Sequence, residues 1–184
     1  DASTFSEGNL KVVSGVDSYN NIFGTMATGA TGKWYAEFLV LDSQQRQGVG
    51  ATTDLAATMG ESGGNIGNLS GSRDFAYTGQ NGYFIINTVE ASYGDAFSIN
   101  DIIAIAINLD DNEVNFYRNN VAQGVKTIIA SSAGYVIGVT NISSGYNMTM
   151  AANYGQDSSF AGEKTAQGNQ DANELGDFYY APPT

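Results

Sequence analysis

Any chemistry this chain performs must come from oxygen atoms. Its 184 residues include no histidine and no cysteine. That removes Ser-His-Asp and Cys-His nucleophile systems, imidazole and thiolate metal sites, and any disulfide framework. Acid–base work would rest on carboxylates, and glycoside hydrolysis needs two, about 5–5.5 Å apart for retention or farther for inversion. The nearest candidates are Asp110, Asp111 and Glu113, which fall in a turn, and the isolated Glu37. No pair alternates along one strand face, so the chain reads as non-enzymatic. The run Asp110-Asp111-Asn112-Glu113 also offers oxygens of the kind calcium takes. It lacks the EF-hand spacing and glycine, and reads as a hairpin turn with Asx chemistry. Nothing in the sequence calls for a metal or another cofactor.

Binding chemistry is better represented. Of the 11 tyrosines, Tyr35, Tyr117 and Tyr135 are expected in the core or on sheet faces. Tyr19, Tyr77 and Tyr93 lie beside loops, where aromatic rings stack on sugars or clamp a peptide. With Arg73, Asp74 and Asn81 they make the candidate ligand-binding rim. Residues 54–72 contain Gly60, Gly63, Gly64, Gly67 and Gly71, and Leu55 to Met59 has room for one helical turn. A glycine-rich loop beyond ~12–15 residues is uncommon in a compact domain and tends to serve recognition. The expectation is that loop 54–72, the 79–82 turn and the connection around Tyr93 lie side by side.

The elements that must hold these residues read as strands. In Ser98 to Gln123, Ile103, Ile105, Ile107 and Leu109 alternate with Ile102, Ala104, Ala106 and Asn108, the period of two of a strand. Apolar and small residues on both faces place it centrally, covered on each side. A two-residue type I′ turn at Asp111-Asn112 would set Leu109 opposite Val114 and Ile107 opposite Phe116. Asn119-Asn120 offers a second such turn. Lys33 to Leu41 alternates as well, with Trp34, Ala36, Phe38 and Val40 on an apolar face. Trp34 is therefore expected to be buried against Ile103, Ile105 and Ile107. Leu10 to Val13, Ile22 to Ala27, Gln47 to Thr53, Tyr135 to Ile142 and Met148 to Tyr154 read as further strands. Arg73 to Tyr77 and Tyr83 to Ile86 read as a hairpin, and Thr88 to Phe97 as a connection. About ten short strands without a helical period argue an all-β antiparallel sandwich. The tail from Gly155 on is polar, anchored by Phe160 and Phe178-Tyr179-Tyr180, with 161–177 expected as a mobile loop.

Three ordered motifs carry a family resemblance. Gly32-Lys33-Trp34-Tyr35-Ala36-Glu37 comes first. Next is Asn100-Asp101-Ile102-Ile103-Ala104, followed by Asp110-Asp111 and Phe116-Tyr117-Arg118-Asn119-Asn120. Asn153-Tyr154-Gly155 closes the set. Over roughly residues 5–160 this pattern resembles a SPRY domain, whose core runs Gly-Asp-Val-Ile-Gly, an aspartate pair, Phe-Tyr-Lys-Asn-Gly and Asn-Phe-Gly. Glycine is missing before Asp101 and after Asn119, and the tryptophan-rich ligand strand of many animal members is absent. The resemblance implies two antiparallel sheets packed face to face, a concanavalin-like jelly roll. The ending, Phe178-Tyr179-Tyr180-Ala181-Pro182-Pro183-Thr184, is similar to the close of SPRY-like domains in bacteriophage structural and tail-fibre proteins.

Seven Lys+Arg against 19 Asp+Glu give a formal charge of −12. Such a surface repels phosphate backbones and anionic lipid, which argues against nucleic acid as a partner. No run approaches the ~18 apolar residues of a membrane span, so no membrane insertion is expected. The length suits one domain over 1–184. The start at Asp1 suggests a domain cut from a longer chain or a processed product. Together these readings imply a binding module of a phage virion, or otherwise an extracellular or cell-surface protein. Its expected partners are a host-surface glycan or protein and other virion proteins. A carbohydrate-active jelly-roll enzyme and a purely structural virion decoration or spacer domain stay open as alternatives.

Overall fold

A computed structural model describes residues 3–8, 10–14, 20–43, 47–55, 64–142 and 146–184. Thirteen strands form among them: β1 (Thr4–Ser6), β2 (Lys11–Val13), β3 (Asn20–Ala27), β4 (Lys33–Ser43), β5 (Gln47–Thr52), β6 (Phe75–Thr78), β7 (Tyr83–Ile86), β8 (Val89–Ser92), β9 (Ile102–Asn108), β10 (Glu113–Arg118), β11 (Val121–Thr127), β12 (Val136–Asn141) and β13 (Met148–Asn153). They make two antiparallel sheets. The first has seven strands in the order β1-β2-β13-β4-β9-β10-β11, and the second has six in the order β3-β12-β5-β6-β7-β8. This is the expected all-β sandwich. Two short edge strands, β1 and β8, were not expected, since three and four residues are too few to establish a period; the Thr88–Phe97 connection contains β8.

Alternation explains the core. Ala36, Phe38, Val40, Ile103, Ile105, Ile107, Val114 and Phe116 point inward from the first sheet, and Val49, Ala51, Phe75, Tyr77, Phe84 and Val139 meet them from the second. Rings of Phe75, Tyr77 and Phe84 sit against Phe116 at centroid distances of 5.3 to 6.5 Å. Trp34, expected among these residues, is 40% exposed. It is the second residue of β4, at the rim opposite Ile107, and its indole N–H donates to the Thr31 carbonyl at 3.1 Å. A residue near a strand's end keeps the parity of its neighbours without their cover.

The β9–β10 hairpin holds its expected faces with different partners. Val114 faces Ile107 and Phe116 faces Ile105, a shift of two residues from the expected register. The connection is a four-residue loop, because the Asn108 side-chain oxygen accepts the Asp110 and Asp111 N–H groups at 3.2 and 3.3 Å. Leu109 leaves the ladder and donates its N–H to the Gly32 carbonyl. A shift of two preserves the face of every side chain. Asn119-Asn120 forms the second turn as expected: Arg118 pairs with Val121, and both asparagines have positive φ, 49° and 66°.

Each outer face is covered by a strap. Over the first sheet runs the tail from Gly155, whose Phe160 packs with Leu39, Ile102 and Ala151, with Tyr179 and Tyr180 beside them. Segment 161–177 carries backbone bonds of its own, including the paired exchange between Asn169 and Phe178. Residues 64–72 lie on the second sheet: Ile66 is buried, and Gly67 approaches Ala76 and Ile85 so closely that a Cβ there would meet the Ile85 carbonyl at 2.7 Å. Residues 56–63, including most of the stretch with room for a helical turn, lie outside the described residues.

Candidate functional site

The residues expected to form one rim are divided between the two ends of the β6–β7 hairpin. Arg73 is exposed just before β6, beside the Asn87-Thr88 turn, where the Gly71 N–H donates to Asn87 Oδ1 at 2.7 Å. Asn81 is exposed in the Gly79–Gly82 turn at the opposite end. The Tyr93 connection lies with Asn81, since the Tyr93 and Gly94 N–H groups donate to the Gly82 carbonyl. Gly82, at φ +65°, is close enough to Gly94 that a Cβ would overlap its carbonyl. The described residues 64–72 of the loop and the 79–82 turn therefore do not sit side by side: four-residue strands separate them. Tyr19 lies outside the described residues.

Three of the named side chains support rather than present. Asp74 is fully buried, and its Oδ2 accepts the Gly67 N–H at 2.7 Å, fastening the loop to β6. Burial pushes its carboxyl up, against the backbone donors that pull it down. Tyr77 is fully buried as well, because it falls on the inward parity of β6. Its hydroxyl donates to the Asp95 carbonyl, and burial raises its pKa. Tyr93 is half-buried: its hydroxyl accepts the Phe116 N–H at 3.0 Å and donates to the Gly124 carbonyl, with a pKa pushed up to about 12 by burial. Gln123 Oε1 accepts the Asp95 N–H at 2.8 Å, so this end is a joint between the two sheets.

Around Arg73 the backbone is strained. Asn87 and Thr88 connect β7 to β8 with φ of 50° and 67°. For β-branched Thr88 that region costs about 1–3 kcal/mol unless its surroundings impose it. Here they do: the Thr88 N–H donates to the Gly67 carbonyl at 3.0 Å, while Asn87 receives Gly71. The loop thus holds the turn, and Asp74 holds the loop. Sequence reasoning missed Asn87-Thr88, since only a two-residue connection between adjacent strands marks it.

The remaining buried carboxylates are structural too. Glu37 has no exposed surface. Oε1 accepts Tyr35 OH and the Tyr180 N–H, and Oε2 accepts Asn153 Nδ2 and the Tyr179 N–H, all at 2.8 to 3.1 Å. Burial pushes its carboxyl up while the donors restrain the rise. Asp101 accepts Ser98 N–H, Arg118 Nε and Asn119 Nδ2, which explains the acidic residue opening the central strand. Asp110 and Asp111 close the hairpin, taking Gly32 N–H and Asn108 Nδ2. Every oxygen of Glu37 and Asp101 accepts at least one hydrogen bond, and no cluster of three or more acidic side chains suited to a metal forms among the described residues.

The model of the SPRY domain matches residues 33–157, more than half of the chain. The chain therefore belongs to the SPRY family, a family of protein-interaction modules. Among solved structures, it is similar to the SPRY domain of human HERC1 at a TM-score of 0.69 and 13% identity, covering 83% of this chain and 92% of that one. A second human SPRY domain aligns at a TM-score of 0.64 and 16% identity, covering 82% and 95%. At these identities the likeness concerns the fold. No curated protein matches the chain.

Proposed function

We propose that this SPRY domain is a non-catalytic recognition module of a bacteriophage virion, carried by a tail fibre or related structural protein. Its ligand is a glycan or protein of the host surface, held by loops of the sandwich. The observation that carries the loop reading is the strained Asn87-Thr88 turn beside exposed Arg73, imposed by a loop that buried Asp74 fastens. Strain in an ordered surface loop is maintained against a standing cost, and it supplies a preformed surface that loses little freedom on binding. Arg73 offers a planar fork of donors suited to a carboxylate or to sugar hydroxyls. The phage setting is supported by the Phe178 to Thr184 ending.

The test is adsorption of the domain to candidate host cells. Arg73→Glu should lower binding at least tenfold, about 1.4 kcal/mol, with the melting temperature held within the range of ordinary surface changes. Undiminished adsorption by a folded variant would move the site away from this end.

A further inference from the structure

We infer that the outer face of the seven-stranded sheet carries a second binding site, a groove that takes a short neutral oligosaccharide. The groove lies between β4, β9, β10 and the C-terminal strap, with a volume of about 740 Å³, within the roughly 300–1,000 Å³ of ligand sites. Register explains its shape. Tyr35, Ala106, Asn115 and Val125 stand in one row across four strands. Half-exposed Ala106 is the low point between larger neighbours, and Phe178, Pro182 and Pro183 of the strap raise the far wall.

The lining selects the ligand class. The apolar surface on this face is the half-buried ring of Tyr35, which meets Phe178 edge-on at 5.1 Å, while Trp34 borders the groove from the inward parity of β4. Tyr117 accepts from Asn115 Nδ2 at 3.2 Å and keeps its own proton to donate, while Asn115 is oriented from its other side by the Gly124 N–H at 3.1 Å. Lys33 and Glu113 line the same groove, and neither makes an ion pair among the described residues. An apolar plate beside isolated donors and acceptors of both signs suits a sugar, whose C–H face stacks while its hydroxyls both donate and accept. Polyanions are disfavoured by the chain's charge of −12. Strand addition by a peptide is closed on this floor, because β4, β9 and β10 are each paired on both sides.

The site is separate from the Arg73 end, so the two readings fail independently. The experiment presents the full chain to an array of neutral hexose and N-acetylhexosamine oligosaccharides. The strongest binder is then titrated against the fluorescence of Trp34, the single tryptophan. Expected is a saturable change in emission, weakened at least tenfold by Tyr117→Phe and by Glu113→Gln at unchanged melting temperature, and unaffected by Arg73→Glu. Absence of binding to every neutral glycan on the array by folded protein would overturn the inference. So would glycan binding indifferent to both groove substitutions, or a proline-rich peptide, offered in parallel, saturating the groove where no sugar does.

Discussion

The two straps solve one problem by different means. Each sheet has an outer face with small residues at its centre, Ala104 and Ala106 on one, Gly50 and Ala76 on the other, and each is covered by a segment fastened to a buried carboxylate. Each oxygen of Glu37 takes one backbone N–H of the tail, from Tyr180 and Tyr179, and one donor of its own sheet, from Tyr35 and Asn153. Asp74 takes the Gly67 N–H on Oδ2, and its buried Oδ1 has no hydrogen-bond partner among the described residues. The tail brings aromatic weight through Phe160, Phe178 and Tyr179. The loop brings Ile66 and close backbone approach at Gly67. One strap is held by packing, the other by fit, and the lightly held one borders the proposed loop site. That is the expected division when recognition regions are drawn from the less stable parts of a fold.

The sharpest way to break the comparison is to remove the apolar anchors. Phe178 packs edge-on against Tyr35 at 5.1 Å, and Phe178→Ala should destabilise by about 3–5 kcal/mol in urea unfolding. Ile66→Ala should cost about 2–3 kcal/mol, at the low end of its class because the loop can settle. A larger loss at Ile66 would reverse the ranking.

The carboxylates come next. In Glu37→Gln an amide hydrogen replaces one accepting oxygen and meets two donors, so a loss of roughly 2–4 kcal/mol is expected from the buried groups left unpaired. Asp74→Asn can place its amide on the partnerless side and keep the Gly67 bond, so its loss should stay below about 1 kcal/mol. Equal losses would show that both straps are fastened alike.

Acidity tests the same pair by sign. Glu37 and Asp74 have folded pKa values raised by burial. Their stabilising contribution is therefore full below the unfolded value of about 4 and is lost as pH rises through the folded one. Asp157, in the tail, is lowered by its hydrogen bond from Ser159, and contributes above about 3.9, losing it as pH falls. Melting temperature should hold or rise from pH 7 to 5 and decline only in stronger acid. A steady fall over that first interval would contradict the assignment. Smallest of all, Thr88→Gly should relieve strain and stabilise by about 1 kcal/mol, while loosening the Arg73 end.

Much of this architecture was legible because the inner faces announce themselves. Ile103, Ile105 and Ile107 alternate without interruption, and Asn119-Asn120 carries its turn type in its residues. The turn expected at Asp111-Asn112 has the right parity and the wrong partners, since nothing local shows that Asn108 closes the loop with its side chain. Trp34 had the right face but lay one residue too near a strand end. The candidate site suffered more. Tyr77 looked like a loop residue and is core, and the groove beside Tyr117 depends on a cross-strand row that only register reveals. Both straps contact residues distant in the sequence, Glu37 meeting Tyr179 across 142 positions, a pairing no local pattern can show.

Strand β8 bears on how this domain behaves in crowded company. It ends its sheet, and its four residues are all exposed, with Val89 62% accessible. An open edge of this kind is a template for another chain's strand, the route by which β proteins aggregate. Its defences are its shortness, Glu90 within it, and a net charge of −12 that keeps copies apart. Salt weakens the last of these: at 1 M the screening length falls to about 3 Å. The colloidal stability of concentrated protein is therefore expected to decline with ionic strength, and a second acidic residue at Ala91 would be the first repair to make.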